Sequence, residues 1–170
     1  GRGRPVAHVA GRRSRRAAGV GDLSRTSLAD DPDGLNNPVF RSLNRNKRSI
    51  ALDLRGEAGK AVVYDLAKTA DVVVNNFRAG VMDRMGFGYD QLSKINPRII
   101  CAFGSGFGQS GPFAHKGGQD ILAQAVSGVM ARKPDKDLPT TLYSTALADY
   151  SAGMHLVQGI LLALMQREKT

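Results

Sequence analysis

Two short apolar runs constrain this chain more than anything else in it. They are Ala70-Asp71-Val72-Val73-Val74-Asn75 and Arg98-Ile99-Ile100-Cys101-Ala102-Phe103. Neither alternates polar and apolar residues, as a strand with one wet face does, so both read as parallel strands buried on two sides. Ser49-Ile50-Ala51-Leu52-Asp53-Leu54 reads as an earlier short strand, and Glu57 to Thr69 as an amphipathic helix with Ala61, Val62, Tyr64, Leu66 and Ala67 on its apolar positions. Short helices are expected over Val81 to Met85 and Tyr89 to Ile95, and longer ones over Asp120 to Met130 and Asp149 to Glu168. That order predicts an α/β fold, a Rossmann-like doubly wound parallel sheet with flanking helices. Right-handed crossovers would bring the loops after Val74 and Phe103 to one sheet edge, the carboxyl ends of the strands, where such sheets bind ligands.

Ahead of the first strand the chain changes character. Residues 1–20 show no hydrophobic period, and Gly21 to Arg41 is rich in turn residues and reads as a long loop. The net charge of +9 suggests a nucleic-acid partner until it is located. Six arginines (Arg2, Arg4, Arg12, Arg13, Arg15 and Arg16) stand in the first 16 residues, where there is no acid; the remainder carries 18 basic and 15 acidic side chains. The body is therefore nearly balanced. The expected division is a basic, disordered arm over residues 1–20 and an α/β body over residues 21–170, with nucleic-acid binding through the arm as a lesser alternative. An arginine-rich, acid-poor arm is also compatible with organelle targeting, so a mitochondrial location stands as the alternative to a cytoplasmic one. The single cysteine, Cys101, offers neither a disulfide framework nor metal-ligand spacing. No apolar run is expected to reach the roughly 20 residues that a bilayer requires, so no membrane partner is expected.

Three stretches carry candidate chemistry. Asp149 stands where the last, apolar helix begins, so its carboxylate would be favoured in ionised form by the helix dipole. It could act as a nucleophile or simply cap the helix. His155 follows six residues later, about 600° around a helix, so an Asp–His pair is not expected. Gly106-Phe107-Gly108-Gln109-Ser110-Gly111 matches the GxGxxG pattern after a strand, but Pro112 follows at once and no helix opens inside the loop as phosphate binding requires. Asn75-Asn76-Phe77-Arg78, with Arg84 following, offers an amide, an aromatic face and guanidinium groups at the end of a strand, which suit an anionic, ring-bearing ligand or, equally, a solvated turn.

Together these segments resemble the family III CoA-transferases, the formyl-CoA transferase and carnitine CoA-transferase group. The resemblance is carried by Asn46 to Leu54, Ala70 to Arg78, Gly80 to Gly86, Asn96 to Ile100, Ser105 to Pro112 and Ala148 to His155, and it runs from about Gly21 to Thr170. It implies that Asp149 is a nucleophilic aspartate that attacks an acyl-CoA thioester to give a mixed anhydride. The released CoA thiolate then forms an aspartyl-CoA thioester, and a carboxylic acid completes the exchange. By the same resemblance Asn76, Phe77 and Arg84 would hold the CoA nucleotide and pantetheine arm. Leu52 and Arg55 would flank the adenine, with Arg55 standing where some relatives carry lysine. Gly106, Phe107, Gly108 and Gln109 would shape the acyl end. Coenzyme A is then a substrate, with no permanently bound cofactor and no metal, and an interlocked homodimer is implied.

Two departures qualify the resemblance. The related acyl-CoA racemases carry a proton-transferring histidine where this chain reads Gly118-Gln119-Asp120, and glutamine cannot abstract an α-proton, so transfer is favoured over racemisation. The relatives are also more than twice as long. The expectation is a fragment of the large domain, inactive on its own.

Overall fold

The computed structural model describes residues 6–11, 23–25, 36–131 and 135–169. The six arginines of the basic arm lie outside these described residues. The chain forms two compact units, residues 1–63 and 64–170.

In the first unit β1 (Val6–Gly11) pairs in parallel with β2 (Lys47–Leu52), in a register that sets Val6 against Lys47 and Gly11 against Leu52. Val6–Gly11 is thus a strand within a segment to which the sequence assigned no fold. The expected long loop also ends early, because α1 (Pro38–Leu43) begins inside it. Asn37-Pro38 looked like a turn signal and is a helix start. The Asn37 side chain is fully buried and accepts from the amides of Val39 and Phe40 at 2.9 and 3.2 Å, and Pro38 occupies the first helical position, where a missing N–H costs nothing. β2 also lies two residues earlier than expected. Asp53 leaves the strand to build the next turn: its Oδ1 accepts from the amide of Arg55 at 3.1 Å, and its carbonyl from Gly56 at 3.2 Å. The helix that follows, α2 (Glu57–Ala67), presses on that turn, since a Cβ at Gly59 would collide with the Asp53 carbonyl oxygen.

In the second unit β3 (Val72–Asn75) and β4 (Ile100–Phe103) pair in parallel, Val72 against Ile100 and Asn75 against Phe103. The parallel pairing is the one their unbroken apolar composition predicts, but the expected burial on two sides is not met: Val74 is 56% exposed and the other residues of both strands are half-buried, because β3 and β4 form a two-stranded sheet. The connection between them holds α3 (Val81–Met85) and α4 (Tyr89–Ile95), both with the bounds expected from sequence. Gly86, at φ +85°, ends α3 in the left-handed conformation that glycine adopts without a Cβ penalty. The core gathers Ala67, Leu92 and Ile99, with Tyr64, Val73 and Cys101 packed on it. Its polar edges are closed by Tyr64, whose hydroxyl donates to the Gly86 carbonyl at 2.9 Å. Asn96 does the same for the carbonyls of Ala67 and Ala70, at 3.0 and 2.9 Å.

Two helices complete this unit. α5 (Asp120–Val126) is shorter than expected, because Gly128 at φ +77° breaks it and a separate 3-10 turn follows over Val129–Ala131. α6 (Leu147–Arg167) packs against β4 and α5. At 21 residues, with an 18-residue stretch of mean hydropathy 1.2, it has the length and composition of a bilayer-crossing helix, contrary to the expectation that no run reaches that size. Its contacts are those of a helix lying on a sheet. Leu156 Cδ1 would stand 3.1 Å from a Cβ at Gly104, just past the carboxyl end of β4. At the other end Arg167 donates to Asp71 and to the Arg98 carbonyl, both at 3.0 Å, beside the amino ends of the strands. α6 therefore runs antiparallel to β3 and β4, and its first turn lies at the carboxyl-end rim.

Candidate functional site

The rim is built from three segments that leave the sheet or return to it. The first follows β3. Asn75 Oδ1 accepts from the Phe77 amide at 3.1 Å, which turns the chain sharply and leaves Asn76 exposed and Phe77 half-buried. Arg84, on α3, folds back along its helix, so that its Nη1 would stand 3.0 Å from a Cβ at Gly80. Asn76, Phe77 and Arg84 thus belong to one turn-and-helix unit at the end of β3, as their spacing suggested.

The second segment follows β4 and contains Gly106, Phe107, Gly108 and Gln109. Gly108 and Gly111 have φ of +79° and +96°, and no helix opens before Asp120. The geometry is that of a tightly turned loop, not a phosphate-binding strand–loop–helix. Phe107 and Phe113 meet edge to face at 5.8 Å between ring centres and close the loop on itself, with the Lys116 ammonium 4.5 Å from the Phe113 ring centre. Gly106 also crosses Gly118 backbone to backbone; a Cβ on Gly106 would run into the Gly118 Cα. Beside that crossing, the Arg78 guanidinium covers Gly117, leaving a Cβ there only 2.5 Å of space. The first two segments are fastened to each other here.

The third segment is the first turn of α6, which carries Asp149. Sequence placed Asp149 as the first residue of the helix and left open whether it capped it. The helix starts two residues earlier, at Leu147, and its N-cap residue, Ala146, has no side chain able to accept. The cap comes from α5. Asp120 Oδ1 accepts from the amides of Ala148 and Asp149, at 2.6 and 3.1 Å, and its second oxygen accepts from Gln124 Nε2. Gln124, 2% exposed, accepts the Tyr143 amide at 2.9 Å through Oε1, and its Nε2 also reaches the Thr145 carbonyl at 3.4 Å. Desolvation acts to raise the Asp120 carboxyl, but the bonds from Gln124 and from the two backbone amides outweigh it and hold the group below its ordinary value. Residue reading missed Asp120 and Gln124 because their partners are 19 to 29 positions away.

With the cap occupied, the Asp149 carboxylate is exposed and accepts no hydrogen bond among the described residues. It lies in the first turn of α6. His155 donates Nδ1–H to the Ser151 carbonyl of its own helix at 2.7 Å and makes no pair with Asp149, as the helical spacing required. About 4.5 Å further along the helix axis from Asp149, at Ala152, a cleft of about 490 Å³ opens between α6 and β4. Ala152, His155 and Leu156 line one wall and Gly104, Ser105 and Gly108 the other. Leu52 and Arg55, the two residues expected beside an adenine, belong to the first unit. Leu52 ends β2 half-buried, and Arg55 is exposed in the turn built by Asp53. Among the described residues no cluster of His, Cys, Asp and Glu could hold a metal ion.

Residues 17–170 match the profile of CoA-transferase family III. The chain is similar to the acetyl-CoA:oxalate CoA-transferase of Acetobacter aceti, at 47% identity over 133 residues, which is 77% of this chain and 34% of that protein. It is 42% identical over 150 residues to the formyl-CoA:oxalate CoA-transferase of Streptomyces coelicolor, covering 88% of this chain and 36% of the other. Among solved structures, a CAIB/BAIF family protein from Brucella suis superposes with a TM-score of 0.84 at 34% identity, over 96% of this chain and 42% of that one. The chain thus spans about a third of the length of the curated relatives it matches.

Proposed function

Since the chain belongs to CoA-transferase family III, we propose that it carries the nucleophile and part of the CoA site for moving coenzyme A from an acyl-CoA thioester to a carboxylic acid, with Asp149 as the group that becomes acylated. The observation that carries this reading is the division of labour at the start of α6. Asp120 satisfies the helix amides, so the Asp149 carboxylate is not used as a cap and is free to attack.

The exchange runs in four displacements. An Asp149 oxygen attacks the thioester carbonyl, the C–S bond breaks, and the CoA thiolate leaves behind a mixed anhydride. The thiolate attacks the aspartyl carbonyl, which releases the donor as its carboxylate and forms an aspartyl-CoA thioester. The acceptor carboxylate attacks that thioester and expels the thiolate again. The thiolate then attacks the acceptor's acyl carbonyl, giving the new acyl-CoA and restoring Asp149. Each step trades one activated acyl bond for another, which divides a hard transfer into easier ones. An anionic nucleophile needs no general base, which accords with His155 being turned toward its own helix.

Asn76, Phe77 and Arg84 are assigned to the nucleotide and pantetheine arm, because the turn after β3 offers an exposed amide, a ring face and a guanidinium. Leu52 and Arg55 are assigned to the adenine, and the Gly106–Gln109 loop to the acyl end. The names of the relatives make a short acyl donor, acetyl or formyl, and oxalate as acceptor the first pair to assay. The test is hydroxylamine trapping with the product of the complete coding sequence. Acyl-CoA plus hydroxylamine should leave a hydroxamate on Asp149, and Asp149→Ala should abolish both the hydroxamate and the exchange. Exchange that persists in Asp149→Ala refutes the assignment.

A further inference from the structure

Asp120 does more than end a helix. It holds two amides of the turn that carries Asp149, and it is itself held by Gln124, whose remaining bonds fix the Tyr143 and Thr145 backbone just ahead of that turn. Both bonds are made to main-chain amides, so they fix where the backbone of that turn stands and, with it, the root of the Asp149 side chain. Without Asp120 those two amides would lose the acceptor that fixes the turn.

Resting on the reading of Asp149 as the acylated residue, we propose that Asp120 is a positioning residue for the acyl-exchange reaction, and that Asp120 and Gln124 together fix the backbone turn from which the Asp149 carboxylate projects. The pair is specific in its chemistry. Asp120 must accept from Gln124 while Gln124 accepts from Tyr143, so a carboxylate at 120 and an amide at 124 are complementary, and so are an amide at 120 and a carboxylate at 124. In the reversed pair the amide at position 120 keeps its oxygen for the helix N–H groups and donates through its nitrogen to the carboxylate at position 124. That carboxylate still accepts from Tyr143, and only the 3.4 Å bond to the Thr145 carbonyl is given up.

The experiment compares the complete gene product in four forms: wild type, Asp120→Ala, Asp120→Asn, and Asp120→Asn combined with Gln124→Glu. Three quantities are read: the rate of hydroxamate formation on Asp149, the amide proton shifts of Ala148 and Asp149, and the melting temperature. The expected result is a loss of about 100-fold in the trapping rate for Asp120→Ala, the scale of a misplacement near 1 Å. The two amide signals should move away from their carboxylate-bonded positions. Asp120→Asn alone should be intermediate, and the double variant should recover most of the rate. A folded Asp120→Ala variant that traps at the wild-type rate overturns the proposal, and so does a double variant no faster than Asp120→Ala. If wild type forms no hydroxamate on Asp149, the acyl-exchange reading itself fails and takes this role with it. The amide shifts would then still report Asp120 as a plain cap.

Discussion

The amide of Asp149 donates to the carboxylate of Asp120, 29 residues earlier in the chain, at 3.1 Å. An acid on α5 thus caps the helix that carries the candidate nucleophile. The cap and the reacting group are different residues, and much of the behaviour of the site follows from that separation.

Because its carboxylate is exposed and bonded to nothing among the described residues, Asp149 should be replaceable without cost to the fold. Asp149→Asn is expected to change unfolding free energy by no more than about 0.5 kcal/mol in a denaturant titration. Acyl exchange in the same variant should be lost. A large drop in stability would show that the side chain serves the helix after all.

Acid should loosen the start of α6. Asp120 is held below its ordinary value of 3.8 in the folded chain. A carboxyl depressed on folding contributes stability that is fully present above the unfolded value and is lost as the pH falls through the lower, folded one. The expected outcome is faster hydrogen exchange at Ala148 and Asp149 as the pH drops through and below 3.8, with no such step in Asp120→Asn. Exchange rates corrected for intrinsic pH dependence provide the check.

The backbone crossing of Gly106 and Gly118 leaves no room for a methyl group on either side. Gly106→Ala should cost about 1–3 kcal/mol, because the obstacle is main chain and cannot swing aside. Gly108→Ala has open space but a φ of +79°, so it should cost less, about 1 kcal/mol. Urea unfolding of the two variants gives the order, and a reversal would mean that the crossing is loose.

Arg84 is proposed to hold the nucleotide and pantetheine arm of CoA, away from the reacting atoms. Arg84→Ala in the complete gene product should raise KM for acyl-CoA about tenfold or more while leaving kcat within a few-fold, the pattern of a lost uniform-binding contact. A change confined to kcat would place the residue at the chemistry instead.

The local sequence carried much of this. Unbroken apolar composition was enough for β3 and β4 and for their parallel pairing, but not for the burial of both faces that it suggested, since Val74 is exposed. The expected ranges of the two short helices, Val81 to Met85 and Tyr89 to Ile95, are those of α3 and α4. Where a residue's meaning depended on its neighbour, local reading faltered. Asn37-Pro38 signals a turn or a helix start equally well, and burial of the Asn37 side chain selects the helix.

What the sequence determined by itself was an acid in the first turn of an apolar helix and a set of polar and glycine-rich loops due at one edge of a parallel sheet, because periodicity and crossover handedness are local or nearly local rules. Only the tertiary structure decided that the acid is unoccupied. Composition cannot show which oxygen meets the free amides of α6, since the answer lay on another helix, in the bonds from Asp120 that leave Asp149 exposed.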